Sequence, residues 1–291
     1  MIAELRGTRK YYSLDNLCAT FGYTRQAWYN HLKRSELQAF QEHIVLQRIK
    51  EIRKNLPKTG CIKLYKELNN GFLQALGITM GRDAVFDLVR ENGMLVKSKK
   101  RHVVTTNSFH RYRIHPDLVQ RRHPQQAEEI WVSDITYITT MAGFNYLSLV
   151  TDAYSRKIIG YYLSINLKAE GCIKALDKAV ASRIYPEKAL IHHSDRGTQY
   201  CCDDYVSKLR GKAIQISMTQ TGSPYDNAIA ERVNGILKTE FDLYKNFKSH
   251  SQASIAVGDA IYKYNNLRLH ASCNYQTPEN THNYEKVNQF T

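Results

Sequence analysis

Trp131-Val-Ser-Asp-Ile-Thr-Tyr-Ile138, Phe144-Asn-Tyr-Leu-Ser-Leu-Val-Thr151 and Lys157-Ile-Ile-Gly-Tyr-Tyr-Leu163 are three short apolar runs with turns at Met141-Ala-Gly and Tyr154-Ser-Arg. Runs of this length, rich in β-branched and aromatic residues and bounded by turn formers, read as strands joined by hairpins. Past them the period changes. Ala169 to Arg183 reads as a helix, Ala189 to His193 as a strand and Gln199 to Leu209 as a helix. Ala213 to Met218 then reads as a strand and Tyr225 to Phe241 as a helix.

Three hairpin-linked strands followed by helix–strand units predict an α/β core of ribonuclease-H-like order, with a mixed five-stranded sheet flanked by helices. Three acids occupy distinct places in that order. Asp134 lies within the first run, Asp195 ends Leu190-Ile-His-His-Ser-Asp195, and Glu231 lies in the last helix of the core. Carboxylates at strand ends, faced by one from a helix, can converge on a hard divalent cation. Cutting or joining phosphodiester bonds needs an activated oxygen nucleophile and a stabilised leaving oxygen, which a pair of such ions supplies. The expected metal is Mg²⁺, two ions, with Mn²⁺ able to substitute.

The helix around Glu231 adds to this. Asn227, Glu231, Asn234 and Lys238 share one polar face. Lys238 and Asn227 are candidates for holding DNA beside the metals, although Asn234 and Lys238 taken alone read as an ordinary solvated face. Asp152 and Asp226 read as turn or cap residues. His192 and His193 precede Asp195 on a strand and point to opposite faces. One is expected to pack against a helix, leaving the other as a candidate for positioning substrate.

Upstream, the chain is helical. Ser13-Leu-Asp-Asn-Leu-Cys opens one short helix, Phe21-Gly-Tyr breaks it, and Thr24 to Lys33 starts another. Such a helix–turn–helix would present Arg25, Gln26, Tyr29 and Asn30 to a DNA groove while Ala27, Trp28 and Leu32 pack inward. A longer helix is expected over 37–56, ended by Pro57. A second unit follows, with a break from Gly71 to Gly77, a helix over Thr79 to Asn92, and Gly93 just past its end. From Lys97 to Gln126 apolar periodicity disappears and Lys97, Lys99, Lys100, Arg101, Arg111, Arg113, Arg121 and Arg122 accumulate. Lys99, Lys100 and Arg101 are therefore candidates for contacting DNA phosphates. The expected organisation is a helical region 1–56, a second helix–turn–helix-like unit 57–96, a basic linker 97–127, the catalytic core 128–245 and a helical extension 246–291.

With 291 residues, of which 43% are hydrophobic, the chain can bury more than one core. Its net charge of +14 points to a polyanionic partner. No window approaches a membrane span and the N-terminus lacks a signal-peptide apolar region, so a cytoplasmic protein associated with DNA, and no membrane, is expected. The six cysteines show no C-x-x-C spacing and read as reduced and buried.

An ordered set of motifs carries a resemblance. It comprises Trp131-Val-Ser-Asp-Ile-Thr-Tyr, Asp152-Ala-Tyr-Ser-Arg-Lys, His193-Ser-Asp-Arg-Gly-Thr-Gln-Tyr, Gly222-Ser-Pro-Tyr-Asp-Asn-Ala-Ile-Ala-Glu231, Lys238-Thr-Glu, Tyr264-Asn-Asn-Leu-Arg-Leu-His270 and Tyr275-Gln-Thr-Pro278. With thirty-five residues between Asp195 and Glu231, it resembles the catalytic, OrfB-type transposases of the IS-three family of insertion sequences. These share the retroviral-integrase core. The resemblance implies that Asp134, Asp195 and Glu231 are a metal-binding DDE triad, and that residues 60–93 form a helix–turn–helix ahead of the core. It further implies strand transfer by a 3′-hydroxyl, with DNA as a partner: the terminal inverted repeats of the element and target DNA. A homodimer or higher oligomer on DNA, a separate small DNA-binding subunit and a copy-out-paste-in route belong to the same expectation. The chain departs from retroviral integrases in lacking their His-His-Cys-Cys zinc module. Two other functions compete: a non-catalytic DNA-binding regulator on a transposase fold, which the intact acidic triad opposes, and a structure-selective nuclease.

Overall fold

The computed structural model of the chain describes residues 13–96, 112–120, 122–220 and 227–288, with side chains described to 284. They fall into two compact units, one within Met1–Lys54 and Gly60–Leu95, the other within Asn55–Thr59 and Val96–Thr291.

The first unit is all helical. α1 spans Leu14–Thr20, with Ser13 accepting the Asn16 N–H at 3.2 Å as its cap. Gly22 at φ 74° turns the chain. α2 then runs unbroken over Arg25–Asn55, where two helices were expected. The reason is chemical: no Gly or Pro lies between Thr24 and Leu56, so nothing terminates the helix. α1 packs on its start through Leu14, Leu17, Cys18, Phe21 and Trp28. Trp28 faces inward as expected, whereas Ala27 and Leu32 are exposed, because so small a core has no second layer to cover them.

The C-terminal half of α2 contributes Val45 and Ile49 to a larger core with α3 (Cys61–Asn69), α4 (Phe72–Ala75) and α5 (Arg82–Glu91). Leu64, Leu68, Leu73, Val85 and Val89 are almost fully buried there. This core thus crosses Pro57 in sequence.

The second unit holds the sheet. β1 (Ile130–Thr140), β2 (Gly143–Asp152) and β3 (Ile158–Ser164) form an antiparallel meander. β4 (Ile191–Ser194) and β5 (Gln215–Met218) add in parallel, giving the order β3-β2-β1-β4-β5. One face is covered by α6 (Ala169–Ala181), α7 (Thr198–Cys201) and α8 (Asp203–Gly211) around Trp131, Leu176, Tyr205 and Leu209. The other is covered by α9 (Ala228–Glu240) and α10 (His250–Asn266) around Ile138, Leu147, Leu237 and Tyr264. α11 (Pro278–Asn288) closes the chain. This is a ribonuclease-H-like core with a mixed five-stranded sheet, preceded by helices.

Two features differ in detail from expectation. The helix expected over Gln199 to Leu209 is split at Cys202, which is extended at φ −67°, ψ 151°. Part of the expected linker is docked on the core: Leu118 N–H donates to Ser217 Oγ at 2.8 Å, Pro116 O accepts from Met218, and Leu118 and Val119 pack against Ile130 and Ile191. Lys99, Lys100 and Arg101 lie outside the described residues, as does Asp226.

Candidate active site

β1 and β4 run parallel and pair up to Val132 opposite His193. Two residues further along each strand stand Asp134 and Asp195, so both acids emerge at the same level, where the strands part. Glu231 sits in the first turn of α9, which crosses β1 on that side. The three expected acids are thus brought to one region by three separate elements.

Asp134 is half-buried and tightly held. Its Oδ1 accepts the Ile135 N–H at 2.8 Å and its Oδ2 accepts from Asn234 Nδ2 at 2.7 Å. Burial, together with the facing charge of Asp195 and a smaller contribution from Glu231, pushes its carboxyl up to about 7 against those two hydrogen bonds. Burial also raises Glu231, which is otherwise exposed. Asp195 accepts the Gly197 N–H at 2.9 Å. A side chain at 197 would stand 3.0 Å from the same oxygen, which explains glycine there. Arg196 ties the loop down by donating from Nε to Thr219 O at 2.6 Å.

Asn227, expected on the helix face, instead stands just before α9 as its capping residue, and its Nδ2 donates to Ser133 O at 3.0 Å, holding the start of the helix to β1. Sequence reasoning misread Asn234 as solvated. Asn234 is 7% exposed, and its Oδ1 is buried with no hydrogen-bond partner among the described residues. The available signal was its position one turn after Glu231. Lys238 lies half-buried two turns from Glu231.

Neither histidine faces an open site, since both are 1% exposed. His192 Nε2 meets Ser133 Oγ at 2.7 Å and Tyr205 OH at 2.9 Å, and burial lowers it to about 3, keeping it neutral. His193 meets Ser217 Oγ at 2.8 Å and lies 4.0 Å from Asp117 of the docked linker. In the first unit Arg25, Gln26, Tyr29 and Asn30 are all exposed. Arg25 lies 3.6 Å from Asp15 and over the Tyr29 ring, and Gln26 donates to Asn30.

Among the described residues, no three of His, Cys, Asp and Glu stand close enough to hold a metal ion as they are. The donor chemistry nonetheless fits a hard divalent cation. Asp134 and Asp195 oppose one another with like charge, the ligand atoms are all oxygens, and a buried amide oxygen beside them lacks a partner.

The sequence matches two family models described as Integrase core domain, over residues 124–224 and 212–278. It is 32% identical over 260 residues to the insertion element IS600 31 kDa protein of Shigella sonnei, covering 88% of this chain and 93% of that one. It is 33% identical to a putative transposase of element IS986/IS6110 from Mycobacterium tuberculosis, covering 74% and 77%. The transposase InsF of IS3A from Escherichia coli is 28% identical, with 94% of each chain covered. Among solved structures, the HTLV-2 integrase catalytic core domain in complex with magnesium matches with TM-score 0.44 and 17% identity, covering 55% of this chain and 99% of that one. The family matches and the sheet order define a protein with an integrase-type catalytic core, a polynucleotidyl transferase. The chain belongs to the insertion-sequence transposases, the group that includes the IS3 transposase. Among the described residues no helix is long and apolar enough to cross a membrane.

Proposed function

We propose that Asp134, Asp195 and Glu231 are the DDE triad of this transposase, and that it cleaves DNA at the ends of its element and joins the freed 3′-hydroxyl to a second phosphodiester. The observation that carries the reading is local: in a chain of net charge +14, three acids converge where β1 and β4 part, and the carboxyl of Asp134 is raised to about 7. Burying that carboxyl, with the like charge of Asp195 facing it, is costly unless a cation relieves it. Asp134 and Asp195, with Glu231, would hold Mg²⁺ or Mn²⁺. A bound pair of such ions activates the attacking oxygen and stabilises the leaving one. Asn234 keeps the Asp134 carboxylate in one orientation, Gly197 leaves room for that of Asp195, and Lys238 offers positive charge to phosphate along α9.

Terminal repeats and target are the DNA partners in this reading, bound as a dimer or larger assembly because two ends react together. A separate small DNA-binding subunit and a copy-out-paste-in route follow from the likeness to IS3-type elements. The test is strand cleavage and joining on end-bearing DNA in Mg²⁺. Asp134→Asn, Asp195→Asn and Glu231→Gln should each reduce both by at least about a thousandfold with DNA binding retained. Normal joining in any variant removes that residue from the site, and DNA binding without cleavage or joining by the unaltered protein leaves a DNA-binding regulator.

A further inference from the structure

Tyr137 on β1 lies directly opposite Tyr146 on β2, their ring centroids 5.2 Å apart at 64°. Phe144 completes the group, edge-on to Tyr137 at 5.8 Å and 84°. Cross-strand packing accounts for the tyrosine pair, but Phe144 keeps 56% of its surface exposed. All three side chains are on the α6 face of the sheet, beyond the N-terminus of that helix. Their support is rigid. Thr140 Oγ1 donates to Gly143 O across the hairpin at 2.8 Å, and the strand end is pinned where Phe247 N–H donates to Thr139 O and Met141 N–H donates to Phe247 O.

Beside the rings, the loop after β3 exposes Leu167 and then Lys168. Gln199, four residues after Asp195, donates to Leu167 O at 2.9 Å and joins this loop to the segment carrying the acid. Tyr137 itself is three residues past Asp134 on the same strand, about 10 Å along it and on the opposite face, since the Asp134 carboxylate meets Asn234 of α9.

The geometry points to a stacking platform: Tyr137, Tyr146 and Phe144, with Lys168 at the margin, receive unpaired nucleobases of a DNA strand leaving the carboxylates. The inference rests on the DNA-cleaving reading above. Rings on a stiff sheet offer π-faces to any base, and a nearby cation serves the backbone, which is the recurring chemistry of single-strand binding. Met141 in the hairpin turn and Ile165 in the loop after β3, 75% and 68% exposed, extend the apolar margin beside the rings.

Full-length protein in EDTA is titrated at fixed salt with a twelve-nucleotide oligothymidine and with a blunt duplex, so that binding is read without turnover. Phe144→Ala and Tyr146→Ala should each weaken single-strand binding roughly tenfold while changing duplex affinity less than about twofold. Phe144→Leu, which keeps an apolar side chain and the fold but removes the ring, should match Phe144→Ala, and Phe144→Trp should restore binding. A 2-aminopurine in the oligonucleotide should lose its stacking-dependent quenching in the same variants. Unchanged single-strand affinity, or equal losses on both DNAs, overturns the platform. So does unchanged affinity accompanied by a shift in sedimentation, which would make the patch a contact between copies of the chain. Cleavage by Asp134→Asn, assayed separately with Mg²⁺, tests the underlying reading, and its outcome is independent of the stacking signal.

Discussion

At the scale of single residues, the proposed site trades stability for chemistry. Asp134 titrates near 4 in an unfolded chain and about 7 in the folded one, so between those values the folded state binds more protons than the unfolded state. Stability without metal should therefore fall as pH rises through that window and level off above it. Asp134→Asn removes the buried charge and, with it, the repulsion from Asp195. In EDTA at pH 8 it should stabilise the protein by roughly 1 to 2 kcal/mol, allowing for solvent screening of a half-exposed group, and saturating Mg²⁺ should reverse the order of melting temperatures. A variant no more stable than wild type in EDTA would show that neither burial nor the facing Asp195 makes the Asp134 charge costly. Asn234→Ala removes the donor to Oδ2 of Asp134 and should slow joining about ten- to a hundredfold while leaving DNA affinity unchanged; Asn234→Asp, which adds a fourth acid, should be worse. The strand and helix contexts of the three acids were legible in the sequence. The bond from Asn234 was not, because a polar helix face looks the same whether it meets water or a carboxylate.

Among the elements, the last helix is fastened by buried charge. His282 of α11 is 2% exposed and lies 3.7 Å from Glu128 and 3.8 Å from Asp152, with Ser155 Oγ at 3.0 Å. Glu128 also receives Arg183 at 3.0 Å and the N–H groups of Ile184 and Tyr185. Burial opposes its charge, but His282, these amides and Arg183 outweigh it and hold the carboxyl at about 2. Burial likewise opposes charge on His282, and the bonds to Asp152 and Glu128 overcome it, raising the imidazole above its usual value despite Lys157 nearby. Glu279, paired with Lys157 at 2.8 Å, stands one turn earlier on α11. A raised histidine contributes stability fully below pH 6.5, and that contribution is lost as pH climbs through the folded value. His282→Ala should cost about 3 kcal/mol at pH 6, measured by denaturant midpoint, and should flatten the decline seen above pH 6.5. An unaltered decline would place the titrating group elsewhere. Asp152 was read from sequence as a turn residue, and it accepts from Ser155 N–H and Oγ, both at 2.7 Å. Its partnership with a helix more than a hundred residues away left no local pattern to read. The continuity of α2 was legible in principle from the lack of any breaker, whereas the docking of residues 116–119 was not, since a short stretch held by backbone bonds has no period.

For the molecule as a whole, the excess of 41 Lys and Arg over 27 Asp and Glu has to be reconciled with an acidic site. A like-charged site repels DNA, so the cations elsewhere must supply the attraction, and the segment 97–126 carries eight of them against a single acid, Asp117. Each lysine or arginine that neutralises a phosphate releases counterions and steepens the fall of affinity with salt by about 0.9 in the log–log slope. Replacing Lys99, Lys100 and Arg101 together with Ala should therefore lower that slope by about 2 to 3 if all three touch phosphate. Because phosphate contacts carry no sequence information, the preference for element ends over unrelated duplex should stay the same. The measurement is binding of full-length protein to both DNAs across a salt series, with Lys208 and Lys212, charged residues of α8 and its cap, replaced in a control. An unchanged slope in the triple variant would make these three residues solvated charge, and a changed preference would mean that they reach base edges as well as the backbone.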